Sequence, residues 1–123
     1  MRTVKTKSVT NSELSTVKNY LNSIGRDEVI SFEEEVSLIE HVRKGDPSSK
    51  DKLTTIYKDF VEVVAKEYQN RGLDLSDLII EGIKGLLKAA EKYDETRDFR
   101  FIDYAVWWIR QSILQALTHL KQG

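Results

Sequence analysis

The stretch YDETRDFRFIDYAVWWIRQSILQAL, Tyr93 to Leu117, decides the fold, and the rest of the chain is arranged to hold it up. It gathers Tyr93, Phe99, Phe101, Tyr104, Trp107 and Trp108 into one short span of a protein with only 9% aromatic residues. From Phe101 onward its apolar positions recur at helical spacing, which predicts a final helix reaching about Leu120. Phe101, Ala105, Trp108, Ile109, Ser112, Ile113 and Ala116 form the expected inner face, and Tyr104, Trp107, Arg110, Gln111 and Leu114 the other. Adjacent helical residues point about 100° apart, so Trp107 and Trp108 cannot both face the centre of one small core. One of them faces a groove, a partner or water.

Working upstream, the same periodicity predicts helices throughout, and the few chain breaks fall at their ends. Leu78, Ile79, Ile83, Leu86, Leu87 and Ala90 define a helix running to about Tyr93, with Ser76 as its expected cap. Gly82 and Gly85 lie inside it; glycine there costs up to ~1 kcal/mol against alanine, which implies either a close neighbouring backbone or a tolerated weak spot. Before it, Leu53, Ile56, Tyr57, Phe60, Val64 and Tyr68 form the stripe of a long helix to about Asn70, opened by Asp46-Pro47 and ended by Gly72. Ser31 with Glu34 is a capping box for a helix with Val36, Leu38, Ile39 and Val42 inward and Gly45 as its stop. Thr10 with Glu13 opens a first helix carrying Val17, Tyr20, Leu21 and Ile24 up to Gly25. The fold class is all-α, a bundle of about five helices.

Length and composition set the remaining bounds. At 123 residues the chain is one domain, read as a flexible basic arm over 1–9 and a single helical domain over 10–123. There is no cysteine, which excludes disulfides, thiolate metal sites and cysteine nucleophiles. No run reaches membrane-span length and the N-terminus lacks an apolar leader segment, so the expectation is a soluble, cytoplasmic protein with no membrane partner. A net charge of −1 argues against a wholly basic nucleic-acid binder but leaves room for a local basic face.

No catalytic arrangement stands out, so the reading is of a protein that is not an enzyme and takes no cofactor or metal. His41 and His119 are isolated and read as surface histidines. Glu33, Glu34 and Glu35 read as first-turn acids that complement a helix dipole and face water. The aromatic-basic stretch differs in kind. Single-stranded nucleic acid is held by rings that stack on bases and cations that follow phosphates. Phe99, Arg100, Phe101, Tyr104, Trp107 and Arg110 supply those parts, and Gln111 adds an amide able to read a base edge. Core packing and a protein interface use the same residue types, and Asp98 and Asp103 oppose phosphate binding.

The run RGLDLSDLIIEGIKGLLKAAEKYDETRDFRFIDYAVWWIRQSILQAL resembles domain 2 of the housekeeping class of bacterial sigma factors, sigma-70 type. The resembling elements are RGL, DLI-x-EG, GL-x-KA, F-x-F, YA and WWIRQ; NYLNSIG and ISFEEEVSLIEHVRKGD resemble the segment that precedes domain 2 in that family. On this basis 10–45 are the preceding helices and 46–120 the domain 2 core. The resemblance implies two partners: core RNA polymerase, bound through the β′ clamp helices, and promoter DNA, bound at the single-stranded non-template strand of the minus-ten element. It places Asp77, Ile79, Ile80, Glu81, Ile83, Lys84 and Leu87 at the polymerase. Tyr93, Asp94, Arg97, Asp103 and Tyr104 would surround a flipped adenine with Tyr104 stacked on it, Trp107 and Trp108 would wedge the upstream edge of the bubble, and Gln111 would face the last paired base. Flipping a base costs a few kcal/mol of stacking, which an aromatic pocket returns without covalent chemistry.

The chain also departs from the family. Ile80 and Ile83 stand where glutamine and asparagine are usual, Asp103 where threonine or serine is, and Asp98 where glycine is. Tyr57-Lys58-Asp59-Phe60-Val61 replaces N-L-R-L-V and Val63 a serine, at positions that help capture a downstream base. The chain ends at Gly123, before the family's further DNA-reading domains. The expectation is a transcription initiation module that binds core polymerase and melts the minus-ten element. Two alternatives stand beside it: a sigma-like regulator that binds polymerase or a sigma partner without opening DNA, and a sigma factor targeted by another protein; an anti-sigma or targeting protein is the further partner these readings imply.

Overall fold

Five helices account for most of the residues that the computed structural model describes, 11–24, 30–97 and 99–122: α1 (Asn11–Ile24), α2 (Phe32–Arg43), α3 (Pro47–Lys66), α4 (Leu75–Lys92) and α5 (Phe101–Gln122). The all-helical class and the five-helix bundle follow the sequence pattern. The basic arm, the Thr10–Glu13 box, the stop at Gly25 and Asp98 lie outside the described residues. No helix among the described residues is long and apolar enough to cross a membrane.

The helix boundaries have local causes, and two differ from expectation. Ser31 caps α2 reciprocally: its Oγ accepts from the Glu34 N–H at 3.1 Å, and Glu34 Oε1 accepts from the Ser31 N–H at 3.1 Å. Gly45, at φ +86°, ends that helix in the left-handed conformation that a side chain resists. Asp46 sits at the N-cap position of α3, but its carboxylate accepts from Ser49 Oγ at 2.6 Å and makes no cap bond to the backbone. α3 ends at Lys66, four residues before the expected Asn70, and its last turn unwinds through Glu67 and Tyr68. The cap of α4 is Asp74, which accepts from the Asp77 N–H at 3.0 Å; Ser76 only donates to Asp74, at 3.0 Å. An ionised carboxylate is the stronger acceptor for an N-terminal N–H, so it wins the site.

α3, α4 and α5 form the centre, with Leu53, Phe60, Val61, Val64, Leu78, Leu86, Phe101, Val106, Ile109 and Ile113 fully buried between them. α2 packs on α3 and α4, and α1 on α5 and α3. Of the two readings of the interior glycines, the close approach is the one present. A Cβ added at Gly85 would lie 2.4 Å from the Trp108 carbonyl oxygen and 2.8 Å from Ile109 Cα, and one at Gly82 would lie 2.7 Å from Val61 Cγ1. α4 and α5 therefore cross backbone to backbone at Gly85, and this contact sets the depth of Trp108.

Two burial assignments need correction. Glu35 does not face water: at 1% exposure it is among the most buried side chains in the protein. Tyr104 does not lie on the outer face of α5: it is buried at 6%. Phe101, Tyr104, Ala105 and Trp108 follow the i, i+3, i+4, i+7 spacing of a single stripe, which puts Tyr104 on the core side.

Candidate functional site

The site is built on the turn between α4 and α5, and a helix from elsewhere in the chain holds that turn. Arg43, in the last turn of α2, reaches across to the C-terminal end of α4. Its Nε donates to the Ala90 carbonyl at 3.1 Å, one Nη donates to the Tyr93 carbonyl, and the guanidinium meets Glu95 Oε1 at 3.3 Å. Further along, the Tyr93 hydroxyl donates to the Phe99 carbonyl at 2.8 Å, and Asp94 accepts from the Thr96 backbone and hydroxyl. The turn is polar in sequence but tied at each end.

A run of rings lies on this frame. Phe99 stacks on Tyr104 with centroids 5.5 Å apart and planes 26° apart. Tyr104 meets Trp108 edge-on at 6.2 Å, and Trp108 meets Trp107 edge-on at 5.1 Å. Tyr93 packs against Phe99, Phe101 and Tyr104 at 5.4 to 6.0 Å. Trp107 and Trp108 are both half-buried, so neither takes the fully inward place. The structure thus brings together Tyr93, Phe99, Phe101, Tyr104, Trp107 and Trp108, with Phe101 wholly in the core. Gln111 is exposed one turn beyond Trp107.

The cations of the stretch are less available than the sequence suggests. Arg97 is exposed and pairs with Asp94 at 3.4 Å. Arg100 pairs with buried Glu35 at 3.5 Å and lies over the Phe32 ring at 5.9 Å. Arg110 is mostly buried, bonded to Glu67 at 2.8 Å, Thr16 at 2.9 Å and Tyr68 at 3.3 Å. It joins α5 to α1 and to the end of α3, so its charge is spent inside the fold. Asp103, in the first turn of α5, is half-buried; burial raises its carboxyl above the usual carboxylate range and Arg100 draws it back.

Glu35 and Arg43 hold the framework of this candidate site, and the sequence reading missed both. Glu35 accepts a hydrogen bond from the Tyr57 hydroxyl as well as pairing with Arg100, so one carboxylate links α2, α3 and the start of α5. A signal existed: Glu35, Ile39 and Val42 stand at i, i+4 and i+7, which puts the third glutamate on the apolar stripe. Tyr57, Phe60 and Val61 are buried, whereas Val63 is 38% exposed.

Burial, and then the Glu35 charge, push the Tyr57 phenol far above its ordinary value. Burial pushes Tyr93 up to about 12, again aided by Glu35. A phenol held protonated in the fold and free to ionise when unfolded makes stability fall as pH rises above the unfolded value of about 10. The expected slope for Tyr57 approaches ~1.4 kcal/mol per pH unit between about pH 10 and 12. Thermal unfolding of wild type and Tyr57→Phe across that range checks it: the variant should show a shallower decline.

The outer stripe of α4 has a different character. Asp77, Ile80 and Lys84 are exposed and Glu81 half-buried, with Lys84 bonded to Glu81 at 3.2 Å. Ile80 is 53% exposed, a large apolar side chain set among charges. Ile79, Ile83 and Leu87 pack partly against the core.

The comparisons with known proteins agree with this architecture. The model of the family described as Sigma-70 region 2 matches residues 53–122. RNA polymerase sigma factor SigA of Clostridium acetobutylicum is 44% identical over 101 residues, covering 82% of this chain. The same match covers 27% of that relative, so the chain spans about a quarter of its length. The matched segment runs from the middle of the bundle through α4, the aromatic turn and α5, and on that match this chain belongs to the sigma-70 region 2 family.

Proposed function

We propose that this chain is the part of a sigma factor that docks on core RNA polymerase and captures an unstacked base of the promoter's non-template strand, acting in transcription initiation. The observation that carries the reading is the continuous run of rings from Phe99 through Tyr104 and Trp108 to Trp107, beside exposed Arg97 and Gln111. Rings in series offer stacking faces to successive bases, and a base unpaired in an opening duplex regains on them the stacking it loses. Exposed Ile80, flanked by Asp77, Glu81 and Lys84, is the docking anchor for the polymerase, with Ile79, Ile83 and Leu87 behind it. α1 and α2 act with α3 to α5 as a single unit, because Arg43, Glu35 and the Arg110 cluster join them.

Tyr104→Ala and Trp107→Ala are each expected to weaken binding of a bubble-type minus-ten DNA by about tenfold, with affinity for core polymerase unchanged. Ile80→Asp should do the opposite, lowering polymerase affinity by about tenfold or more. Fluorescence anisotropy of labelled bubble DNA, with and without core polymerase, reads both. Bubble binding that survives both aromatic changes removes the base-capture reading; a core polymerase that ignores the wild-type chain removes the docking.

A second reading has its own support. Arg100 and Arg110 are paired with Glu35 and Glu67, and Tyr104 is covered by Phe99. A regulator that occupies polymerase without opening DNA fits that closed, charge-compensated surface. Polymerase binding with no bubble binding by the complex is the result that selects it.

A further inference from the structure

Phe99 stacks on the ring of Tyr104. Its ring is nearly parallel to that of Tyr104, 26° apart with centroids at 5.5 Å; Tyr104, which also packs against Tyr93 and Trp108, is 6% exposed. Phe99 itself is 37% exposed while packing against both Tyr104 and Tyr93. Its backbone is pinned, since the Phe99 carbonyl accepts from the Tyr93 hydroxyl at 2.8 Å. Rotation about the side-chain torsion of an exposed ring on a fixed backbone opens the Tyr104 face without unfolding the turn.

We infer that Phe99 is an internal competitor for the Tyr104 stacking face, a side chain that sets the threshold a base must exceed to be captured. The inference rests on the reading of Tyr104 as the base-stacking residue. A competitor of this kind lowers the affinity of every base by one factor, the fraction of time that the face is open. It does not alter the ratio between bases. It alters which bases are captured when a strand is held beside the site at a fixed effective concentration. A weakly stacking pyrimidine that would fill an open face fails against the covered one, whereas a purine, with its larger ring system, still displaces the phenyl. Selectivity in occupancy then arises with no contact to the base edge.

The test uses short single strands of deoxyadenylate and of thymidylate, each titrated against the full chain and its variants. Phe99→Ala is expected to raise affinity for both strands by the same factor, about two- to tenfold, the range that an aromatic pair is worth. A loss of affinity for either strand, or a gain for only one, overturns the inference, because Phe99 would then be a wall of the base site. Tyr104→Ala separates the two readings: if it changes nothing, base capture itself fails. Photochemically induced nuclear polarisation supplies a measurement free of DNA. The Tyr104 signal should be silent in the wild type and appear in Phe99→Ala and, more weakly, in Phe99→Leu; a Tyr104 ring that stays silent in Phe99→Ala overturns the inference even if no strand binds.

Discussion

Glu35→Ala is expected to destabilise the fold by about 2 to 4 kcal/mol and at the same time to strengthen binding of single-stranded DNA. The two effects have one cause. Glu35 is 1% exposed, accepts from the Tyr57 hydroxyl and pairs with Arg100. Truncation leaves a buried hydroxyl with no acceptor and a cavity at the α2–α3 contact. It leaves no stranded charge, because the Arg100 side chain is 45% exposed and turns to water. That guanidinium, released beside the aromatic run, becomes available to a phosphate. The binding constant should then depend more steeply on salt, by about 0.7 in the log–log slope for one added phosphate contact. Thermal unfolding reads the first effect, as a melting temperature lowered by roughly 10 °C. Strand titrations at several salt concentrations read the second. Glu35→Gln keeps an acceptor for Tyr57 and removes the charge, so it should gain affinity at a smaller loss of stability. An unchanged melting temperature in Glu35→Ala would sink the account of the buried network.

Gly85→Ala is the second large effect, a net loss of about 2 to 3 kcal/mol despite the better helix propensity of alanine. Propensity favours the change by ~1 kcal/mol. Against it stand contacts of 2.4 Å to the Trp108 carbonyl oxygen and 2.8 Å to Ile109 Cα, both backbone atoms that no rotamer change can move aside. The helices must separate, and Trp108 moves with the backbone that carries it. Gly82→Ala meets the ends of two side chains, Val61 Cγ1 at 2.7 Å and Ile109 Cγ2 at 3.3 Å, and should cost less. Denaturant unfolding of the pair gives the order, and tryptophan emission should shift in Gly85→Ala but not in Gly82→Ala. Equal stabilities would mean that the crossing relaxes more easily than its geometry implies.

What was legible in the chain was whatever is local. The Ser31–Glu34 box, Gly45 and the stripes of α3 and α4 follow from spacing within one helix, and the interior glycines offered a close neighbour as one of two readings. Boundaries failed where two local signals competed, as Asp74 and Ser76 did for the start of α4. Phase was the subtler failure. Three consecutive glutamates look alike in composition, and only alignment with Ile39 and Val42 shows which one turns inward; Tyr104 was misplaced for the same reason. Pairings across long sequence separations were not legible at all. Arg110 with Thr16 and Glu67, and Phe99 over Tyr104, depend on how helices are stacked, and no spacing rule reaches that far.

The guanidinium of Arg43 gives α4 an unusual kind of ending. No glycine follows Lys92, and Tyr93 has extended backbone, φ −65° and ψ 136°. The carbonyls that a helix leaves open at its C-terminus are answered here by a side chain 47 to 50 positions upstream. The stop signal of α4 is therefore written in α2. A fragment cut to the family-matched segment 53–122 would retain every ring of the aromatic run and lose the punctuation that fixes where the run begins.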